Sequence, residues 1–313
     1  MASMEVTTHG QASAQGSFSY VPTRCLLCGS NEYTERYVIE RFKQGTLHYV
    51  TCLECGTAYQ NPMPDQESMR LFYHSEEFFS SKTSREHLVG YCDYDADEQV
   101  RQRNAAYRLK ELEALFPPKK TISLLKIACG YGTFVKAASD RGHLAEGIDF
   151  SEVMVNGAKD RYGVDLIHAD FLDHDFRDKR YDAVLLYGAI NNFLRPIDVA
   201  KKAFDLLKPG GFYLVNHMWL NGVPERIQRK NYWIYRPPIV GIYPKAEFRR
   251  RHQALGFRLY KTRYEIQYVS FEKLFGFLHS KSLLSMVESL RLHKRVFRTI
   301  LPGYEKVFLQ KPL

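Results

Sequence analysis

From Thr121 to Asn216 the sequence repeats one rhythm: a short apolar run, a turn, then a helical stretch. No other feature constrains the chain as much, because strands joined by helical crossovers form a parallel sheet with helices on both faces. Thr121–Ala128 predicts a buried strand that runs into Cys129-Gly130-Tyr131-Gly132, with a helix over Thr133–Arg141. Leu144–Asp149 predicts a second strand ending on an acid, and Ser151 is placed to cap a helix to about Tyr162. Val164–His168, Tyr181–Tyr187 and Phe212–Asn216 predict three more strands. An amphipathic helix over Ile197–Leu207 is broken by Lys208-Pro209-Gly210-Gly211. Ligands of such α/β sheets collect at the carboxyl ends of the strands.

Upstream lies a different kind of sequence. Cys25-Leu-Leu-Cys28-Gly and Cys52-Leu-Glu-Cys55-Gly hold four of the six cysteines, and Cys92 and Cys129 stand apart. Two tight turns carrying paired thiols, brought together by a hairpin, close a tetrahedron of sulfurs, so Cys25, Cys28, Cys52 and Cys55 are expected to hold structural Zn2+. The glycine after each pair permits positive φ and lets backbone N–H groups turn toward the thiolates. Disulfides fit less well because no secretory signal is visible, and a redox pair would normally open a helix. Tyr33–Val50 between the pairs reads as a hairpin with its turn at Gly45. Asn61-Pro62-Met63-Pro64 ends this ribbon, and the text from there to Pro117-Pro118 is helical. The expected division is a disordered leader over 1–19, a zinc ribbon over 20–65, a helical connector and substrate-side cap over 66–118, and the α/β domain over 119–313.

The glycine loop after the first strand lets a ligand approach a helix N-terminus. Asp149, at the end of the second strand, is placed to accept hydrogen bonds from both hydroxyls of an adenosine ribose. Dinucleotide and S-adenosylmethionine sites share this arrangement. A dinucleotide fingerprint needs a third glycine, but the run here is Gly130-x-Gly132-Thr133-Phe134-Val135, which disfavours an oxidoreductase.

With these residues in place, LLKIACGYGTFVKAASDRGHLAEGIDFS resembles the first two motifs of class I S-adenosylmethionine-dependent methyltransferases. YDAVLLYGAINNFLRPIDVAKKAFDLLKPGGFYLVN is similar to their fourth and fifth strands, and YEKVFLQKP to their last, antiparallel strand. The paired CxxCG turns, NPMPDQESMRLFY and YCDYDADEQVRQR resemble a bacterial subgroup acting on small molecules, deoxysugar methyltransferases among them. The resemblance implies a Rossmann-like sheet, mostly parallel with an antiparallel last strand, behind a small zinc ribbon. It implies S-adenosyl-L-methionine as cofactor. Ala128, Gly130 and Gly132 match the loop under its methionine part, Asp149 the ribose acid, and Phe150 the neighbour of adenine. Asp170 and Phe171 match the adenine loop, and Tyr187 and Gly188 the wall beside the methionine. The implied acceptor is a small molecule from sugar, nucleotide-linked sugar, polysaccharide or natural-product biosynthesis.

Two departures stand out. Lys126 and Ala128 occupy positions where the family usually has an acid and a glycine. Asn191-Asn192 stands where relatives often carry Glu-His, which leaves His217 as the best-placed candidate base, beside Tyr187 as a candidate catalytic or substrate-orienting group. Each has a plainer reading, a locally bonded histidine and a packed tyrosine. The aromatic run Asn231–Tyr235 either walls a substrate pocket or packs in the core.

The charge is also placed unevenly. The net charge is +9, and from Arg249 onward 14 Lys/Arg face 4 Asp/Glu, whereas the rest of the chain is close to neutral. A ribbon that is not basic, and no Asn-Pro-Pro-Tyr-like motif, argue against an RNA methyltransferase. The segment over about 265–302 reads as a helical insert, apolar on one face and basic on the other. It is suited to cap the active site, to meet an anionic or membrane-attached partner, or to form a dimer face, and the resemblance favours a cap. No apolar run reaches the ~18 residues a membrane helix needs, and a cytoplasmic location is expected. A methyltransferase-like binding protein without activity is the remaining alternative.

Overall fold

The computed structural model describes residues 18–42, 45–74, 98–220, 222–270, 289–290 and 295–313. Cys92, most of the expected leader, residues 75–97 of the connector and most of the expected insert lie outside the described residues.

The ribbon comprises β1 (Tyr20–Val21), β2 (Tyr33–Phe42), β3 (Gly45–Cys52), β4 (Ala58–Gln60) and β5 (Met63–Pro64). Helices α1 (Gln66–His74) and α2 (Glu98–Glu113) follow. The α/β part runs β6 (Ser123–Ile127), α3 (Thr133–Ser139), β7 (Leu144–Asp149), α4 (Glu152–Tyr162), β8 (Ile167–His168) and β9 (Tyr181–Leu186). It continues with α5 (Pro196–Leu206), β10 (Leu207–Met218), α6 (Val223–Gln228), β11 (Gly241–Ile242), α7 (Lys245–Ala254), β12 (Arg258–Ser270) and β13 (Val296–Gln310). The seven-stranded sheet has the order β12-β13-β10-β9-β6-β7-β8. Its five strands from β10 to β8 are parallel, and β13 runs antiparallel to both β10 and β12.

Strand order reverses beside β6, where the glycine loop lies. This is the switch point at which crossovers go to opposite faces and leave a crevice. The apolar side chains of β6 and β9 alternate between two cores, as a sheet covered on both faces requires. Leu124, Ala183, Leu185, Leu214 and Phe308 pack under α2 and α3, whereas Leu125, Ile127, Val184, Leu186 and Val215 pack under α5 and α7.

The ribbon is not a separate bead. Strand β11, which follows β10 in the chain, pairs with β4 and completes a four-stranded sheet of order β11-β4-β3-β2. Cys25, Leu27, Val50, Cys52 and Tyr59 lie in the same apolar cluster as Ile127, Leu186 and Val215. Gln60 donates from Nε2 to the Ile239 carbonyl at 2.8 Å, and Arg36 pairs with Glu225 at 2.6 Å. The aromatic run joins this seam: Tyr232, Ile234 and Tyr235 are buried among Leu47, Tyr49 and Met218. They are core residues rather than an open pocket wall.

Both ends of the expected helical insert are strand instead. Residues 265–270 belong to β12 and 296–302 to β13, with Ile266 opposite Ile300 and Ser270 opposite Val296. Glu265, at the start of that expected insert, is fully buried and pairs with Arg108 and Lys306, while β12 continues along β13 to Ser270.

Candidate active site and metal centre

Each cysteine pair sits on a tight turn whose glycine has a positive φ, 78° at Gly29 and 71° at Gly56. The glycine N–H groups donate to the carbonyls of Cys25 and Cys52 and close the turns. The next N–H groups, of Ser30 and Thr57, face the sulfurs of Cys28 and Cys55. The four sulfurs lie within 4.8 Å of one another, with Cys25–Cys55 at 3.4 Å and Cys28–Cys52 at 3.5 Å. Four thiolates at ~2.3 Å from a tetrahedral ion lie ~3.8 Å apart, slightly more than these two close pairs and inside the span of the four, so the donor set fits zinc with small shifts. The hydrogen bond with Cys25 draws the Cys55 thiol down to about 5.

At the carboxyl end of β6 the chain turns through Ala128, Gly130 and Gly132, all in the left-handed region at φ 49°, 56° and 72°. Gly132 tolerates this freely, whereas Ala128 is strained by its Cβ. Lys126 supports the turn: its buried Nζ donates to the carbonyls of Ile127 at 2.7 Å and Ala128 at 3.2 Å. The lysine that replaces the usual acid thus pairs with main-chain carbonyls, and burial pulls its pKa down to about 8.

Asp149 ends β7 beside this loop. Its Oδ2 accepts the Gly130 N–H at 2.8 Å and its Oδ1 the Ser151 N–H at 3.0 Å. Burial raises its carboxyl above the ordinary range, and these two donors and Lys126 oppose the rise. Ser151 precedes α4 as expected, but its hydroxyl donates to the Tyr73 carbonyl of α1 rather than capping the helix. The Tyr73 ring meets Phe150 edge-on at 5.0 Å, and Asn192 donates to the Tyr73 hydroxyl at 2.7 Å. Gln66, also on α1, reaches Asp170 at 3.3 Å. Helix α1 therefore closes over the end of β7 and β8, where Phe150 and Asp170 stand. Phe171 does not face this crevice. It is buried against Phe176, with Lys202 over its ring.

Among the sequence candidates, Ala128, Gly130, Gly132, Asp149, Phe150, Asp170, Tyr187 and Gly188 come together along the strand ends, and His217 does not. Its imidazole is fully buried on the opposite face of the sheet, stacked on Phe248 at 3.9 Å. Nδ1 lies 3.1 Å from the Met218 carbonyl and Nε2 3.3 Å from Glu305. Both nitrogens are engaged, so His217 is corrected from candidate base to core residue. Asn191 explains the missing acid. Its Oδ1 accepts the Met218 N–H at 2.8 Å and its Nδ2 donates to the Gly241 carbonyl at 2.7 Å, so it ties β10 to β11 through one donor and one acceptor.

Sequence reasoning missed a buried polar layer directly above the apolar one under α2. Lys126 on β6, Tyr187 after β9, Asn216 on β10 and Lys306 on β13 follow Leu124, Leu185, Leu214 and, antiparallel, Phe308 by two residues on the same face. Glu265 on β12 and Arg108 and Glu111 on α2 complete it. Arg108 donates to Glu265 at 2.8 Å, Lys306 lies 2.5 Å from Glu111 and 3.4 Å from Glu265, and Asn216 accepts the Gly188 N–H at 2.6 Å. Asn104 anchors α2 by exchanging two hydrogen bonds with the Tyr268 backbone. The signal was present as Asn216 and Lys306 at core-facing positions of apolar strands.

The comparisons with known proteins agree with this geometry. Residues 125–215 match the family described as methyltransferase domain. Demethylmenaquinone methyltransferase from Clavibacter sepedonicus is 30% identical over 116 residues, which span 36% of this chain and 46% of that protein. The protein of the same name from Staphylococcus aureus strain MRSA252 is 31% identical over 101 residues, 30% of this chain and 42% of that one. The chain thus spans less than half the length of these relatives. Magnesium protoporphyrin IX methyltransferase from Synechocystis PCC 6803, solved with bound SAH, shares the fold at a TM-score of 0.52 and 12% identity, covering 79% of this chain and all of that one. The matched segment runs from β6 into β10 and holds both the glycine loop and Asp149, and the fold is one shared with a solved methyltransferase. Among the described residues no helix is long and apolar enough to cross a membrane.

Proposed function

We propose that this chain transfers a methyl group from S-adenosylmethionine to a small molecule. The reading is carried by Asp149, a buried carboxylate held by two backbone N–H donors beside the Gly130–Gly132 turn at the switch point of the sheet. The bound cofactor supplies an electrophilic methyl group and needs an acceptor held in line with it. Asp149 has lone pairs left for the two ribose hydroxyls, and its N–H donors fix their direction. Phe150 and Tyr73 offer aromatic edges to the adenine, and Asp170 an acceptor for its amino group. Gly188, exposed after β9, leaves the acceptor a way in beside Tyr187.

The acceptor lies over the carboxyl ends of β9 and β10, beside α2. The names of the relatives, which refer to demethylmenaquinone and magnesium protoporphyrin IX, support a small-molecule acceptor. Within that class we favour a sugar, a nucleotide-linked sugar, a polysaccharide precursor or a natural product. Cys25, Cys28, Cys52 and Cys55 hold a structural zinc ion with no open coordination position, and the ion fixes the ribbon against the α/β domain.

The test is transfer of a labelled methyl group from the cofactor by zinc-replete protein to a panel of these acceptors. Labelled product with at least one of them is expected. Cofactor binding without transfer to any acceptor class would favour a methyltransferase-like binding protein instead.

A further inference from the structure

One cation of the buried polar layer has no ion-pair partner. Arg108 and Lys306 are paired with Glu265 and Glu111, but Lys126 forms no ion pair among the described residues. Lys126 is 5% exposed, and among the described residues its ammonium has two carbonyl acceptors. Asp149 lies close enough to feel its charge but makes no ion-pair contact with it, and a buried cation without a contacting counter-charge is costly. Next to it stands a second incomplete group. Tyr187 is 6% exposed, and its buried hydroxyl has no hydrogen-bond partner among the described residues. Its ring is surrounded by cations, with Arg108 at 4.7 Å, Lys306 at 5.6 Å and Lys126 at 5.8 Å. An unused donor and a buried cation without an ion-pair partner, at the ends of adjacent strands beside the exposed Gly188, together suit an anionic oxygen.

We propose that Lys126 and Tyr187 form an oxyanion subsite that takes a single carboxylate group at the mouth of the cofactor crevice. Two sources supply that chemistry: the α-carboxylate of the cofactor's methionine part, or a carboxylate on the acceptor. The first source rests on the function proposed above, and the subsite itself does not. In this chain Lys126 would then recognise an anion where the family's usual acid lies near the cofactor's ammonium group. Burial already holds the Lys126 pKa near 8, in keeping with a site that gains a counter-charge on binding.

The test uses calorimetric titration and thermal melts of the full-length, zinc-replete protein and two variants, Lys126→Met and Tyr187→Phe. The Phe variant removes only a hydroxyl without a partner and keeps the fold if the Met variant does not. The probes are S-adenosylhomocysteine, 5′-methylthioadenosine, which lacks the amino-acid part, and the pair propionate and propionamide. If the cofactor supplies the carboxylate, both variants lose about 10- to 100-fold in affinity for S-adenosylhomocysteine and little for 5′-methylthioadenosine. If the acceptor supplies it, S-adenosylhomocysteine binding is unchanged, while propionate but not propionamide protects wild type and neither protects the variants. Either pattern supports the subsite. Should wild type fail to bind S-adenosylhomocysteine but keep Lys126-dependent protection by propionate, the function proposed above fails and the subsite stands. Equal responses of wild type and Tyr187→Phe to all four probes would overturn it.

Discussion

Replacing Asn191 by Asp changes one NH2 group to an oxygen and leaves the shape almost intact. The side chain is 3% exposed and uses both ends: Oδ1 accepts from Met218 and Nδ2 donates to the Gly241 carbonyl at 2.7 Å. An ionised aspartate keeps the first bond, loses the second and faces a carbonyl oxygen at that distance. The folded-state pKa of the new carboxyl must therefore lie above its unfolded value of about 3.9. A rise of two to three units, moderate for a buried carboxyl, costs about 3–4 kcal/mol at neutral pH at 1.36 kcal/mol per unit. In melting temperature that is roughly 6–15 °C for a chain of this order of size. The sign follows from the direction of the shift. A raised pKa leaves the variant least affected below the unfolded pKa, where the neutral carboxyl still donates to Gly241, and the deficit grows as pH rises toward the folded pKa. Calorimetric melts of wild type, Asn191→Asp and Asn191→Ala at pH 4.5 and 7.5 measure this. The Asp deficit should shrink to about 1 kcal/mol at the lower pH, since only about half a unit then separates the solution from the unfolded pKa. The Ala deficit should stay constant. Equal Asp deficits at both values would refute the claim that Asn191 is there for its donor.

Three further outcomes follow from the same contacts. Purified protein should carry about one zinc per chain, and chelation should lower its melting temperature, because the ribbon shares an apolar cluster with the main sheet; elemental analysis finding no metal in reductively purified protein would contradict this. Ala128→Gly should raise stability in denaturant melts by up to about 1 kcal/mol, since relief of ~1–2 kcal/mol of left-handed strain exceeds glycine's extra unfolded freedom; a lower midpoint would mean the methyl group packs usefully. His217→Gln should cost about 1–3 kcal/mol of stability and leave the shape of the pH–rate profile unchanged; loss of the acidic limb with stability intact would restore His217 as a base.

The parallel sheet, its order of elements and the cysteine cluster were legible because each rests on local pattern. Apolar runs of strand length, glycines at turns and two CxxCG knuckles carry their geometry with them. Element ends were less legible. Leu207–Met218 is one strand by its ends, yet its β9 partners pass from Tyr181 at Leu207 to Ala183 at Phe212 and its β13 pairing begins at Phe212, so Lys208-Pro209-Gly210-Gly211 interrupts the ladder without ending the strand. Side-chain direction was the larger gap. His217 and Asn216 are adjacent, and the two-residue period of a strand sends them to opposite faces. A one-residue difference therefore separates a group in the polar layer from one stacked in the core. Glu265 and Arg108 lie 157 positions apart, and no local pattern shows that a charge in an exposed-looking stretch meets its partner on α2.

The most direct test of the whole account is titration of zinc-replete protein with S-adenosylmethionine and S-adenosylhomocysteine, beside an Asp149→Ala variant whose melting temperature is measured in parallel. The account requires one site of micromolar affinity for both ligands, abolished in the variant with most of its stability retained. Absence of binding to zinc-replete wild type, or equal loss of binding and fold in the variant, would contradict the assignment of the strand-end crevice as a methyl-donor site.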